Sequence, residues 1–114
     1  MELNEYQVRA MGTCLPSCNN FSYMMLNLVG EVGEFAGKVA KAIRKDCTTI
    51  EVNDVFDLPL DTYGDLKSEA GDILWQLAGL CKVMGWDLND VAQCNLDKLA
   101  NRKKEGTIIT HKDH

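Results

Sequence analysis

Two pairs of carboxylates are the residues of this 114-residue chain best suited to chemistry: Glu31 with Glu34, and Glu69 with Asp72. A spacing of three puts each pair on one face if the segments are helical. Glu69 and Asp72 lie in a stripe that turns apolar one or two turns later, through Leu80 and Val83. Charge in such a stripe needs a partner, because burying it unpaired is costly, and a bound cation is one answer. Four hard oxygen donors on two facing helices suit Mg²⁺, with Mn²⁺ as the alternative; both ions also accept water and phosphate oxygens. A di-iron bundle would add Glu-x-x-His pairs. The two histidines, His111 and His114, are in the C-terminal tail, so that chemistry is not expected. The competing reading leaves both pairs on solvated helix faces. It is attractive for Glu31 and Glu34, which lie opposite the main apolar arc of their segment.

The elements that must position these acids read as helices. A short one covers Glu2 to about Met11, followed by a loop through Gly12, Pro16 and Asn19-Asn20. A second runs from about Phe21 to Lys45, with Asn20 or Ser22 as its cap. Its apolar arc holds Leu26, Val29, Val32, Phe35, Ala36, Val39, Ala40 and Ile43, and is expected to form core. Lys38, Lys41, Arg44 and Lys45 crowd its C-terminal half, where cations complement the helix dipole. Gly30, Gly33 and Gly37 imply close approach by another backbone or a ligand. The connection from 46 to 62 has no sustained period, and its length points to a functional or interface role.

A third helix begins near Asp61-Thr62 or Gly64-Asp65 and ends about Met84-Gly85, its apolar arc including Leu66, Ala70, Ile73, Leu74, Leu77, Leu80 and Cys81. The fourth covers roughly Asn89 to Lys104, with Asp87 as N-cap, Leu88, Val91, Ala92, Leu96 and Leu99 on its core side, and Gly106 as its stop. Asn27, Glu31, Glu34 and Lys38 follow a 4-3-4 spacing, and so do Asp65, Glu69, Asp72 and Gln76. Packed antiparallel, the two helices can face their acids across a groove, so an all-α bundle is expected. On the fourth helix Lys98 and Arg102, four apart with Asn95 nearby, could hold phosphate or pair with the carboxylates. A solvated helix end that favours cations anyway is the plainer reading.

Composition bounds the rest. With 46% hydrophobic residues and only two prolines, residues 1–114 read as a single domain able to form a core. A net charge of -5 argues against a nucleic-acid binder, though not against a small phosphorylated substrate. No basic region followed by a long apolar segment opens the chain, and no segment is apolar enough for a membrane span. Five cysteines, at 14, 18, 47, 81 and 94, read as reduced thiols of a cytoplasmic protein. Cys14 and Cys18 with Cys47 and the tail histidines do not have a usual zinc spacing. Trp75 and Trp86 read as core or interface residues, and Tyr6, Tyr23 and Phe21 as packing residues that could also line a base pocket.

Taken in order, the sequence resembles the MazG-like nucleoside triphosphate pyrophosphohydrolases of the all-α NTP pyrophosphatase superfamily. Gly30-Glu31-Val32-Gly33-Glu34, then Glu69-Ala70-Gly71-Asp72-Ile73-Leu74-Trp75, then Asn95-Leu96-Asp97-Lys98-Leu99 with Arg102 carry the resemblance, which spans roughly Tyr23 to Thr107. It implies a four-helix-bundle-like fold completed by oligomerisation as a homodimer or homotetramer. It also implies Mg²⁺-dependent hydrolysis of a (deoxy)nucleoside triphosphate to the monophosphate and pyrophosphate, a chemistry suited to cleansing nucleotide pools. By the same resemblance Glu31, Glu34, Glu69 and Asp72 would hold Mg²⁺. Glu34 would orient or deprotonate the water, and Asn95, Lys98 and Arg102 would hold the triphosphate. Two alternatives are a phosphoribosyl-ATP pyrophosphatase-like activity and a non-catalytic helical oligomer or nucleotide sensor. The chain departs from the pattern in its long spacer and in lacking a Gly-rich acidic tail after the last helix.

Overall fold

The computed structural model describes residues 1–46 and 58–106. Most of the expected connection, with Cys47, and the tail with His111 and His114 lie outside the described residues. The chain forms α1 (Leu3–Met11), a 3-10 turn (Pro16–Cys18), α2 (Phe21–Asp46), α3 (Leu60–Val83) and α4 (Leu88–Glu105), with no strand among the described residues. Local signals set most of the ends. The Asn20 side chain accepts from the Tyr23 N–H at 2.8 Å, and the Asp87 carboxylate from the Asp90 N–H at 2.9 Å. Gly106, at φ 72°, closes α4 in the left-handed conformation. The third helix starts earlier than expected, directly after Pro59, which offers no capping side chain.

α2 and α3 form an antiparallel hairpin that is the frame of the molecule. Met24 meets Gly79, Asn27 meets Gln76 and Lys38 meets Glu69, so the chains run in opposite directions along one seam. α1 lies across the C-terminal half of α3 and fixes the start of α4. The buried Gln7 amide donates to the Ala78 carbonyl at 3.2 Å and the Trp86 carbonyl at 3.1 Å, and its oxygen accepts from the Leu88 N–H at 3.1 Å. Asn4 accepts from the Asn89 N–H at 2.9 Å. With Asp87, these side chains satisfy the N–H groups of the first three residues of α4, which the helix itself leaves without partners. Trp75 ties α3 to the end of α1 by donating to the Ala10 carbonyl at 3.1 Å and the Thr13 hydroxyl at 3.0 Å.

Two apolar clusters lie along the hairpin. One gathers Ala10, Met11, Met24, Ala78, Cys81 and Leu88; the other gathers Ala42, Leu58 and Leu66, with Phe35 and Val39 against them. Gly79 lets Met24 bury completely, since a Cβ there would run into the Met24 Sδ and Cε. Gly79→Ala is therefore expected to cost about 1–3 kcal/mol by overpacking. Gly64→Ala, where a Cβ meets nothing among the described residues, should stabilise by about 0.5–1 kcal/mol. Urea denaturation of the two variants checks both signs.

The structure corrects the expected core face of α2. Leu26 and Val29 are 73% and 62% exposed, and Val32, Ala36, Ala40 and Ile43 are exposed as well. The helix turns Met24, Asn27, Glu31, Lys38 and Ala42 toward α3, so the seam runs along the polar edge of the arc. An amphipathic pattern records which face avoids water; it does not record whether this chain or another molecule covers it. Leu74 and Leu77 of α3, and Leu96 and Leu99 of α4, are likewise exposed rather than core. Among the described residues Gly33 and Gly37 make no close approach, and Gly30 has only the Asn27 Oδ1 near its Cβ direction, at 3.7 Å.

Candidate metal centre

The seam brings three of the four acids together between the two apolar clusters. Glu31 projects from α2 and Glu69 and Asp72 from α3, one turn apart on the same side. One oxygen from each lies within 4.8 Å of the others. Glu69 is the deepest, 8% exposed, whereas Glu31 is half-buried and Asp72 is exposed. Above them Asn27 donates to the Gln76 carbonyl oxygen and to the Tyr23 hydroxyl, and Gln76 donates to the Met24 sulfur at 3.5 Å. This amide layer separates the acids from the larger apolar cluster.

The Glu69 carboxylate is only half satisfied. Its Oε1 pairs with the Lys38 ammonium at 3.4 Å, while Oε2 is buried with no hydrogen-bond partner. A stranded, desolvated oxygen is costly, and a cation shared with Glu31 and Asp72 would compensate for it. The donors are all carboxylate oxygens, which fit a hard divalent ion such as Mg²⁺. Crowding of the acids is visible in Glu31, whose pKa is pushed up to about 7. The hydrogen bond it shares with Glu34 is the largest cause, followed by burial and then the charges of Glu34, Asp72 and Glu69. Burial and the Asp72 charge raise the Tyr6 phenol, so α1 also borders the site. Tyr23 is raised by its hydrogen bond with Cys18, then by burial and by charges that include Glu31.

Glu34 is exposed beside Glu31 and stands outside the converging trio. Asn95 and Lys98 line a different cleft, of about 460 Å³, with Gly85, Trp86, Asp90, Val91 and Cys94. None of the four acids lines that cleft. Arg102 is half-buried two turns further along α4 than Asn95. The two acidic motifs thus meet within the chain, and the amide and lysine of the third open onto a cleft of their own. Cys14, Cys18, Cys81 and Cys94 are free thiols. Lys38 is the site residue that sequence reasoning set aside as a dipole partner. Its signal was its place in the same 4-3-4 stripe as Glu31 and Glu34.

A helical hairpin whose seam gathers carboxylates from both arms defines an all-α protein with a candidate divalent-cation centre. Residues 19–107 match the MazG nucleotide pyrophosphohydrolase domain, and the chain belongs to that family. It is also 35% identical to the gene 37 protein of Mycobacterium phage L5, over 95% of this chain and 94% of that one. No solved structure gives a significant match. No described helix is long and apolar enough to cross a membrane.

Proposed function

We propose that this protein is a Mg²⁺-dependent nucleoside triphosphate pyrophosphohydrolase, releasing a nucleoside monophosphate and pyrophosphate, and that it works as a homo-oligomer in the cytoplasm. The observation that supports it most is the convergence of Glu31, Glu69 and Asp72 around a buried, unpartnered Glu69 oxygen in a chain of this family. These residues would hold the ion. Bound there, Mg²⁺ would neutralise phosphate charge and polarise the phosphorus centre. Glu34 is exposed yet hydrogen-bonded to Glu31, which suits it to accept a proton from an incoming water beside the ion rather than to share the ion's innermost contacts. Lys38 holds the Glu69 oxygen that the trio leaves over, which fixes the carboxylate's orientation.

A pyrophosphate-release screen over canonical and modified (d)NTPs, with and without Mg²⁺, tests the reading. Phosphoribosyl-ATP belongs in the same screen. Glu34→Gln is expected to lower turnover by roughly 10²–10⁴-fold. The same variant should weaken Mn²⁺ binding less than Asp72→Asn does. Full turnover in Glu34→Gln would remove it from the reaction, and full turnover in Asp72→Asn would overturn the metal centre itself.

A further inference from the structure

Lys38 reaches from α2 across the seam and sets its ammonium 3.4 Å from the Glu69 Oε1 on α3. The partners differ in depth: the Lys38 side chain is 41% exposed and that of Glu69 10%. A lysine so placed lays its aliphatic stem along the helix and holds its charge where both water and a buried anion reach it. The helix dipole does not account for it, since that effect is confined to the last turn of α2, where Arg44 and Lys45 stand. Nor is this a solvated surface pair of the weak kind, because one partner is buried. The ammonium answers one oxygen of Glu69 and leaves the buried Oε2 without a partner, beside Glu31 and Asp72. When all three acids are ionised, they carry three negative charges against one positive charge on Lys38. The excess is what one divalent ion neutralises.

We infer that Lys38 is the resident counter-cation of the acid centre: it holds Glu69 in place while the centre is empty, and it limits how tightly a divalent ion then binds. The inference rests on the proposed function and makes Lys38 a positioning residue that regulates occupancy of that site. Its physical basis is like-charge repulsion between an ammonium on one oxygen of Glu69 and an ion on the other. A charge within about 4–6 Å moves a proton equilibrium by roughly 1–3 units, and a divalent ion feels the same charge twice as strongly. Exposure of Lys38 screens part of this, so the lower end applies, about tenfold in affinity. Removing the ammonium also leaves both Glu69 oxygens unanswered until an ion binds, which tightens binding further and destabilises the empty protein. A side chain that merely braced the site would behave differently, because its loss would weaken the fold and metal binding together.

Mn²⁺ titration of the metal-free full chain, read by the paramagnetic resonance of the free ion, tests it. Lys38→Met removes the charge and keeps the stem, and Lys38→Arg keeps the charge. Lys41→Met removes a charge one turn further along α2, from an ammonium with no carboxylate within 4.0 Å among the described residues. Lys38→Met is expected to bind Mn²⁺ at least about tenfold more tightly than wild type. Lys38→Arg should stay within about threefold of wild type and Lys41→Met within about twofold. Without metal, Lys38→Met should melt a few degrees below wild type, and saturating Mn²⁺ should close most of that gap. Lys38→Gln carries the same test if the methionine variant does not fold. Unchanged or weaker Mn²⁺ binding by the neutral variant overturns the role given to Lys38, and so does equal tightening in Lys41→Met. Asp72→Asn separates that failure from failure of the proposed function. If Asp72→Asn loses Mn²⁺ affinity while Lys38→Met gains none, the metal centre stands and Lys38 is only a brace. If Asp72→Asn binds Mn²⁺ as wild type does, the centre fails and this inference fails with it.

Discussion

Glu31→Gln is expected to abolish nucleotide hydrolysis and, at the same time, to make the metal-free protein more stable at pH 8. Glu31 loses its proton near pH 7 in the fold but near the ordinary carboxylate value of 4.5 in the unfolded chain. Between those values the folded state holds a proton that the unfolded state has released. Stability must therefore fall as pH rises through that window. The glutamine keeps the shape and cannot ionise, so it escapes the loss. Thermal melts in a chelator should show the variant a few degrees above wild type at pH 8, with the difference vanishing near pH 4.5. Activity moves the other way, since removing one charged ligand of three should weaken metal binding and turnover by roughly a hundredfold or more. Saturating Mg²⁺ should stabilise the wild type and leave the variant nearly unmoved. A variant that is both inactive and less stable at pH 8 would mean that Glu31 holds the fold together instead.

The same crowding explains which parts of the site were legible in the sequence. The acid pairs announce themselves because three-residue spacing is a local property of a helix. The shared 4-3-4 stripe shows that two such helices can match. Asp87 and Gly106 were readable for the same reason, each acting within a turn of itself. Gln7 was not readable: it caps α4 from 81 positions away, and nothing near residue 7 or residue 88 signals the partner. The inward face of α2 was misread because hydrophobicity alone chose the widest arc. Phe35 and Val39 of that arc do pack in the core, but the hairpin joined along the arc's edge, where Met24, Asn27, Glu31, Lys38 and Ala42 face α3.

That misreading leads to the second large effect, on assembly. Phe21, Met25, Val29, Val32, Ala36 and Ile43 repeat every three, four or seven residues down one side of α2, all exposed. Tyr63, Ala70, Leu74 and Leu77 do the same on α3. In an antiparallel pair both stripes fall to the same side of the seam, away from Asn27, Glu34 and Asp72. Phe35, Leu58, Tyr63, Leu66 and Ala70, with Lys67 among them, line a largely apolar groove between them. A two-helix layer with an exposed apolar face can be half of a four-helix bundle, and in the proposed homo-oligomer a second copy of the same hairpin would supply the other half. Val29→Asp/Val32→Lys places opposite charges on that face, changes no net charge and leaves the acid seam alone. If the face is the interface, light scattering should shift from a multiple of 12.7 kDa to the monomer. Burying each charge would cost about 2–3 kcal/mol or more, enough to weaken association by well over a hundredfold. The melting temperature should also become independent of protein concentration, as it does once folding no longer depends on a partner. A double variant that keeps the wild-type mass would show that the stripe serves something other than self-association.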